Sequence, residues 1–205
     1  DFSGYSDVAR GIASILGFQL ILNFNLPYFA RTPSDFWRRW HISLSSWFRD
    51  YVYIPLGGNR SGWSRTQINL LLTMVLAGLW HGAGWNFILW GLWHGLLLML
   101  FGKFQPKSGL QSTISWGTTM IGVFYGWLLF RSQSFDQITS YTTHIWNPVF
   151  PNWSASFVVC GLLFYSPILL MQVWQSRSKD LMPSLKLPLL SKTILHSLLL
   201  YAIIL

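Results

Sequence analysis

The feature that most constrains this chain is a long apolar run interrupted by one histidine. It reads Ile68-Asn-Leu-Leu-Leu-Thr-Met-Val-Leu-Ala-Gly-Leu-Trp-His81-Gly-Ala-Gly-Trp-Asn86 and continues to Phe101. A bilayer core is the natural home for such a run. An ionisable side chain at that depth is costly, so it faces a bundle interior or a water-filled cavity and does a job there. The stretch is too long for one simple span. Its 34 residues would run about 51 Å as a helix, against a hydrocarbon core of about 30 Å. Gly82-Ala-Gly84 is the obvious break, because non-helical backbone at membrane depth is tolerated where it lines a cavity. The sequence therefore predicts two segments, Ile68–Trp80 and Asn86–Phe101, with His81 at their junction.

Composition agrees. The chain is 52% hydrophobic and 10% charged, whereas a soluble domain carries about 25% charged residues. The expected fold class is all-α, a polytopic transmembrane helical protein with interfacial amphipathic helices. Further apolar stretches are Val8–Leu22, with Asp7 as its N-cap, Trp116–Phe130, Ala155–Val173 and Thr193–Leu205. The chain opens on Asp1 and stops within the last of these, so it is expected to be a piece of a longer protein. Cys160 sits in an apolar run and reads as an inert core residue.

The net charge is +8, from 14 Lys and Arg against 6 Asp and no Glu. The basic residues fall in short segments between apolar runs. That pattern fits the positive-inside rule and anionic lipid head groups, and nucleic acid is not an expected partner. Segments 31–65 and 177–192 read as cytoplasmic and 131–154 as external. Lys103 and Lys107 join the cytoplasmic side if 68–101 is a broken hairpin.

Segment 31–65 mixes Arg with bulky aromatics, in Phe36-Trp-Arg-Arg-Trp-His41-Ile-Ser-Leu-Ser-Ser-Trp47-Phe-Arg-Asp-Tyr51. Trp and Tyr favour the membrane–water boundary, and Arg can snorkel to water. Phe36, Trp40, Leu44 and Trp47 are spaced as a stripe on one helix face, which predicts interfacial helices. Ser34 is the expected cap. Pro55-Leu-Gly-Gly-Asn-Arg-Ser-Gly62 is a turn-rich loop without the ending of a P-loop.

Five histidines, 41, 81, 94, 144 and 196, are the candidate chemical groups. None has zinc-site spacing, and no metal site is expected. A Gly-x-Ser-x-Gly elbow is absent. A histidine among Leu and Trp is held neutral and can act as a general base. It can equally be a core histidine bonded to a carbonyl, and at His81 both readings stand open on spacing alone. The Trp-His-Gly triplet recurs at 93–95, but on a continuous helix His94 would lie about 140° from His81. A structural role is expected for His94, and bland ones for His144 and His196. Arg38, Arg39 and Arg49 suit either a phosphate-bearing donor or lipid head groups.

Four segments occur in order: Asp1-Phe-Ser-Gly-Tyr-Ser-Asp7, the 36–51 segment, Tyr53-Ile-Pro-Leu-Gly-Gly-Asn-Arg60 and Gly78-Leu-Trp-His-Gly-Ala-Gly-Trp-Asn86. Together they resemble the membrane-bound O-acyltransferase superfamily, and most of all its branch that acetylates bacterial polysaccharides such as alginate. The D-alanyl-transfer branch of teichoic acid modification is a cousin. Phe124-Tyr-Gly-Trp-Leu-Leu-Phe-Arg131 resembles the next family helix, so the match covers residues 1 to about 131.

The resemblance implies a single membrane-embedded domain over 1–205, lacking further N-terminal spans and its C-terminal end, in a multi-pass bacterial inner-membrane protein. It implies that His81 is the catalytic histidine and that His41, forty residues upstream, is the second polar position. Trp80, Asn86, Arg38, Arg49 and Asp50 become candidate substrate-binding residues. The implied donor is acetyl-coenzyme A or another cytoplasmic acyl thioester, with no bound cofactor. The implied partners are the lipid bilayer, a periplasmic or extracellular acetyltransferase and a polysaccharide acceptor. Rival readings are D-alanyl transfer, a proton-coupled transporter using His81, and a scaffold.

Overall fold

Glycines punctuate this chain, and they set where its helices stop. A computed structural model describes residues 2–146, 155–181, 183–191, 193–195 and 197. They fall into two compact units, Asp1–Asn147 and Pro148–Leu205. Among the described residues all regular structure is helical. His196 and most of the run 193–205 lie outside the described residues.

The first helix, α1 (Phe2–Ile15), starts earlier than expected and ends earlier. Asp7 is not its cap but sits inside it, 3.4 Å from Arg10. The stop is Gly17, in the left-handed region at φ 86°. The amide of Gly17 reaches the Ser14 carbonyl and that of Phe18 reaches Ala13, the double closure that glycine permits after a helix end.

The predicted single stripe along 36–47 is instead two short helices, α2 (Pro33–Arg39) and α3 (Ile42–Phe48). Thr32, rather than Ser34, caps α2: its hydroxyl accepts the Asp35 amide at 3.1 Å, and Pro33 takes the first helical position. Between the two helices His41 adopts φ 43°, left-handed for a residue with a Cβ. That backbone costs roughly 1–2 kcal/mol. The irregular segment before α2 holds it in place. The Asn25 amide donates to Arg39 O, the Ile42 amide to Asn23 O, and the Ser43 amide and hydroxyl to the Asn23 side chain. A π-helical turn, Arg49–Tyr53, then leads into the turn-rich loop.

The long apolar run folds as the sequence predicts, into α4 (Trp63–His81) and α5 (Trp85–Phe101), broken over Gly82–Gly84. The two pack antiparallel at very close range. A Cβ on Gly78 would run into the Phe87 carbonyl, and one on Gly91 into Met74 O. Small residues are what allow helix backbones to approach so nearly. Next comes α6 (Gly109–Arg131), capped by Ser108, whose hydroxyl accepts the Gln111 amide. It runs back along α5: Trp93 Nε1 donates to Gly122 O at 2.7 Å and Asn86 Nδ2 to Phe130 O at 3.0 Å. The stretch 131–154, read from its charge as external, contains a further helix, α7 (Phe135–Trp146).

Two clusters make the core of this unit. Phe36 and Ala30 are fully buried with Met120 and Val123, and Trp90 is buried with Phe48, Met74 and Leu129. In the second unit α8 (Ala155–Ser178) precedes a short 3-10 turn, Pro183–Lys186, with Lys186 paired to Asp180 at 2.7 Å.

Among the described residues, no helix is long and apolar enough to cross a membrane. The reason lies in the helix ends. The most apolar helix, α5, has 17 residues, about 25 Å of rise. The longer α4 and α6 gain length by recruiting polar turns: Ser64-Arg-Thr-Gln67 in one, Gln111-Ser-Thr113 in the other. The expected spans within 68–101 and 116–130 are thus corrected to helices that are short, as α5 is, or polar at one end, as α4 and α6 are.

Candidate functional site

A cavity of about 580 Å³ opens inside the first unit, and both His41 and His81 line it. His81 is the last residue of α4, delivered to the cavity because the helix stops at Gly82. A side chain on Gly82 would collide with the Phe87 ring. His41 arrives from the left-handed corner between α2 and α3. A straight helix through 36–47 would have carried the ring elsewhere, so the strained corner and the cavity are one feature.

The wall around the two imidazoles is aromatic. The His81 ring lies 4.9 Å from Trp80, 5.2 Å from Trp90 and 5.0 Å from Phe130, each edge to face. The His41 ring lies 4.6 Å from Phe2 and 6.5 Å from Trp80. Trp80 therefore touches the neighbourhood of both histidines. Trp37 and Trp40 of α2 and its end, and Trp127 of α6, also line the cavity.

The hydrogen-bond pattern is unusual for half-buried imidazoles. Among the described residues no protein group bonds the His81 ring, and His41 Nδ1 is buried without a partner. Among the described residues no carboxylate lines the cavity. These rings are positioned by packing rather than by an acid, which leaves their nitrogens to whatever enters. Burial lowers the pKa of His41 from its usual 6.5, so that this ring is neutral at pH 7. Among the described residues, no group of three His, Cys or Asp side chains gathers to hold a metal ion.

The other sequence candidates separate. Trp80 lines the cavity, and so does Arg49. Asp50 does not line it but grips Arg49 through two hydrogen bonds of 2.7 and 3.0 Å. Those bonds lower the Asp50 pKa and raise that of Arg49. Arg38 is exposed and away from the lining. Asn86 is also outside it, its amide committed to the Phe130 carbonyl, where it holds the α5 start against α6. His94 is fully buried between α5 and α6, its ring 10° from parallel with Phe36 at 6.4 Å. His144 is exposed on α7, its Nδ1 2.6 Å from Ser140 O.

Sequence reasoning missed Phe2, Tyr5, Trp37, Trp90, Trp127 and Phe130 as lining residues. The available signal was weak: Trp37 neighbours the Arg pair, and Trp127 and Phe130 belong to the last quoted segment. Nothing local marks which aromatic faces inward.

The model of the MBOAT, or membrane-bound O-acyltransferase, family matches residues 1–130. Three curated relatives illustrate the range. The "Probable alginate O-acetylase AlgI" of Azotobacter vinelandii is 48% identical over 138 residues, 66% of this chain and 28% of the relative. The "Peptidoglycan O-acetyltransferase" of Helicobacter pylori is 41% identical over 141 residues, 66% of this chain and 27% of the relative. The "Teichoic acid D-alanyltransferase" of Bacillus subtilis is 31% identical over 151 residues, 66% of this chain and 38% of the relative. The chain thus spans well under half the length of these relatives. The cavity and both histidines fall within the matched residues.

Proposed function

The chain belongs to the membrane-bound O-acyltransferase family, and on that premise we propose that His81 is the general base of acyl transfer in the aromatic cavity. The observation that carries this reading is the pair of histidines lining one aromatic cavity, with His41 Nδ1 buried and unpartnered. His81 Nε2 or Nδ1 takes the proton of an acceptor hydroxyl as its oxygen attacks the thioester carbonyl. The tetrahedral intermediate collapses, the carbon–sulfur bond breaks, and the leaving thiolate is protonated by the imidazolium. The base returns neutral, and no proton is left over. A positioned base of this kind contributes ~10²–10⁴-fold.

His41 orients the acceptor or the donor carbonyl from the opposite corner, and Trp80 spaces the two rings. Arg49, exposed at the rim and held by Asp50, suits the phosphates of a coenzyme A thioester entering from the cytoplasmic side. The acyl group is acetyl and the final acceptor an exopolysaccharide hydroxyl such as those of alginate, reached directly or through an acetyltransferase outside the membrane. The whole protein is then a multi-pass protein of the bacterial inner membrane, with short helices such as α5 set where the bilayer is thinned.

The test uses the full-length protein in proteoliposomes with a donor carrying a labelled acyl group. Acetyl-coenzyme A should be consumed and the label recovered as an ester, and His81→Ala should abolish both. Label recovered from a D-alanyl donor only would assign the cousin chemistry. Flux of a solute without ester formation would overturn the enzyme reading in favour of a transporter.

A further inference from the structure

A second cavity in the first unit lies apart from both histidines. It measures about 340 Å³, near the lower end of small-ligand sites at ~300–1,000 Å³. Leu97, Phe101 and Phe104, from the end of α5 and just beyond, face Ile114 of α6 across it, and Pro33 at the start of α2 closes it. The polar side chains around it are already engaged. Ser115 Oγ and Thr119 Oγ1 both donate to the Arg31 carbonyl, at 2.5 and 3.3 Å. Thr118 Oγ1 donates to Ile114 O at 3.0 Å, and Gln111 Oε1 accepts the Lys107 amide at 2.8 Å. What the cavity offers an occupant is hydrocarbon surface.

Its surroundings are cationic. Arg31 is exposed, its backbone fixed by those two hydroxyls and its Nη1 3.4 Å from Ser112 Oγ. Lys107 is exposed one turn before Gln111, and Lys103 is exposed between the lining residues Phe101 and Phe104. Asp35 is the nearby acid, but its carboxylate is shared between the Arg31 amide and the Arg39 guanidinium. Among the described residues no carboxylate pairs with the side chains of Arg31, Lys103 or Lys107. An apolar slot beside uncompensated cations defines its ligand. A water-soluble anion would leave the slot unfilled, and a neutral lipid would leave the cations unpaired.

We infer that this cavity takes one acyl chain of an anionic phospholipid whose head group rests on Arg31 and Lys107. The lipid clasps the corner from which α2 departs to the ends of α5 and α6. It is distinct from the acyl-transfer cavity, and it needs only that the chain is membrane-bound.

The experiment places the full-length protein in phosphatidylcholine vesicles doped with phosphatidylglycerol or phosphatidylcholine bearing a photoactivatable acyl chain. Labelled peptides are then mapped by mass spectrometry. Phosphatidylglycerol should label residues within 97–119 more strongly than phosphatidylcholine does. Arg31→Gln and Lys107→Gln should each lower that labelling roughly fivefold, as expected for one cation near an anionic head group. Thr118→Phe should fill the slot and remove the label while ester formation persists. The two surface variants leave the core untouched, so they decide the matter even if Thr118→Phe fails to fold. Equal labelling by the two lipids, labelling elsewhere, or a silent 97–119 region because other segments of the longer protein cover it, would overturn the inference.

Discussion

The same tripeptide, Trp-His-Gly, occurs twice in this molecule and meets two fates. At 80–82 the helix ends on the histidine, and the ring lines a cavity. At 93–95 the helix runs on, and the histidine is sealed between α5 and α6. The difference comes from the next residues. Gly82 is followed by Ala83 and Gly84, which let the backbone turn, and by Phe87, whose ring occupies the space a Cβ on Gly82 would need. Gly95 is followed by Leu96 and Leu97, good helix formers, and its missing Cβ serves contact with Leu71 of α4. One glycine ends a helix and the other lets two helices touch. The triplet by itself therefore does not set the surroundings of its ring; its helix context does.

The largest effect that could break this comparison is catalytic. His81→Ala should lower acyl transfer by ~10²–10⁴-fold in the full-length protein, without loss of its fold by circular dichroism. His94→Gln should leave the rate within an order of magnitude and lower the midpoint of thermal unfolding instead. If both variants lose activity alike, the two triplets are not functionally different.

The next effect is on packing. Gly126 faces His94 so closely that an added Cβ would strike Nε2, and Gly91 faces the Met74 carbonyl in the same way. Gly126→Ala and Gly91→Ala should each destabilise by about 1–3 kcal/mol, read as unfolding in a fixed detergent. Unchanged stability in both would mean that the close helix contacts are not what seals His94.

A third prediction separates strain from chemistry at His41. Glycine tolerates the left-handed corner, so His41→Gly should hold stability level or raise it by about 1 kcal/mol. The same change should lower acyl transfer. A variant both stable and fully active would reduce His41 to a hinge.

The smallest effect is the pH response. His41 has its pKa lowered by burial, so the folded protein binds its proton less readily than the unfolded chain. Its contribution to stability is complete above the unfolded value of about 6.5 and is lost as pH falls toward the folded value. Thermal unfolding midpoints should therefore decline below pH 6.5, and less steeply in His41→Gln.

Much of this was legible in the sequence. The helical hairpin and its break followed from run length and from Gly82-Ala-Gly84, because bilayer thickness and helix rise leave little choice. The turn at 55–62 was marked by its glycines. The corner at His41 was not, because a left-handed histidine has no sequence signature and is fixed by Asn23 and Asn25 from outside the helix pair. The end of α1 was also missed. The apolar spacing continues to Leu22, and only the left-handed conformation of Gly17 stops it. Of the candidate residues, Arg49 was separable from Arg38 only by the direction of the chain after that corner.

The most direct measurement is the initial rate of ester formation from acetyl-coenzyme A by the full-length protein and its His81→Ala and His94→Gln variants in one vesicle preparation. The first variant should lose about a hundredfold or more, and the second should keep a rate near that of the unmodified protein. A His81→Ala protein that still forms ester at the unmodified rate would contradict the role of His81 as the base.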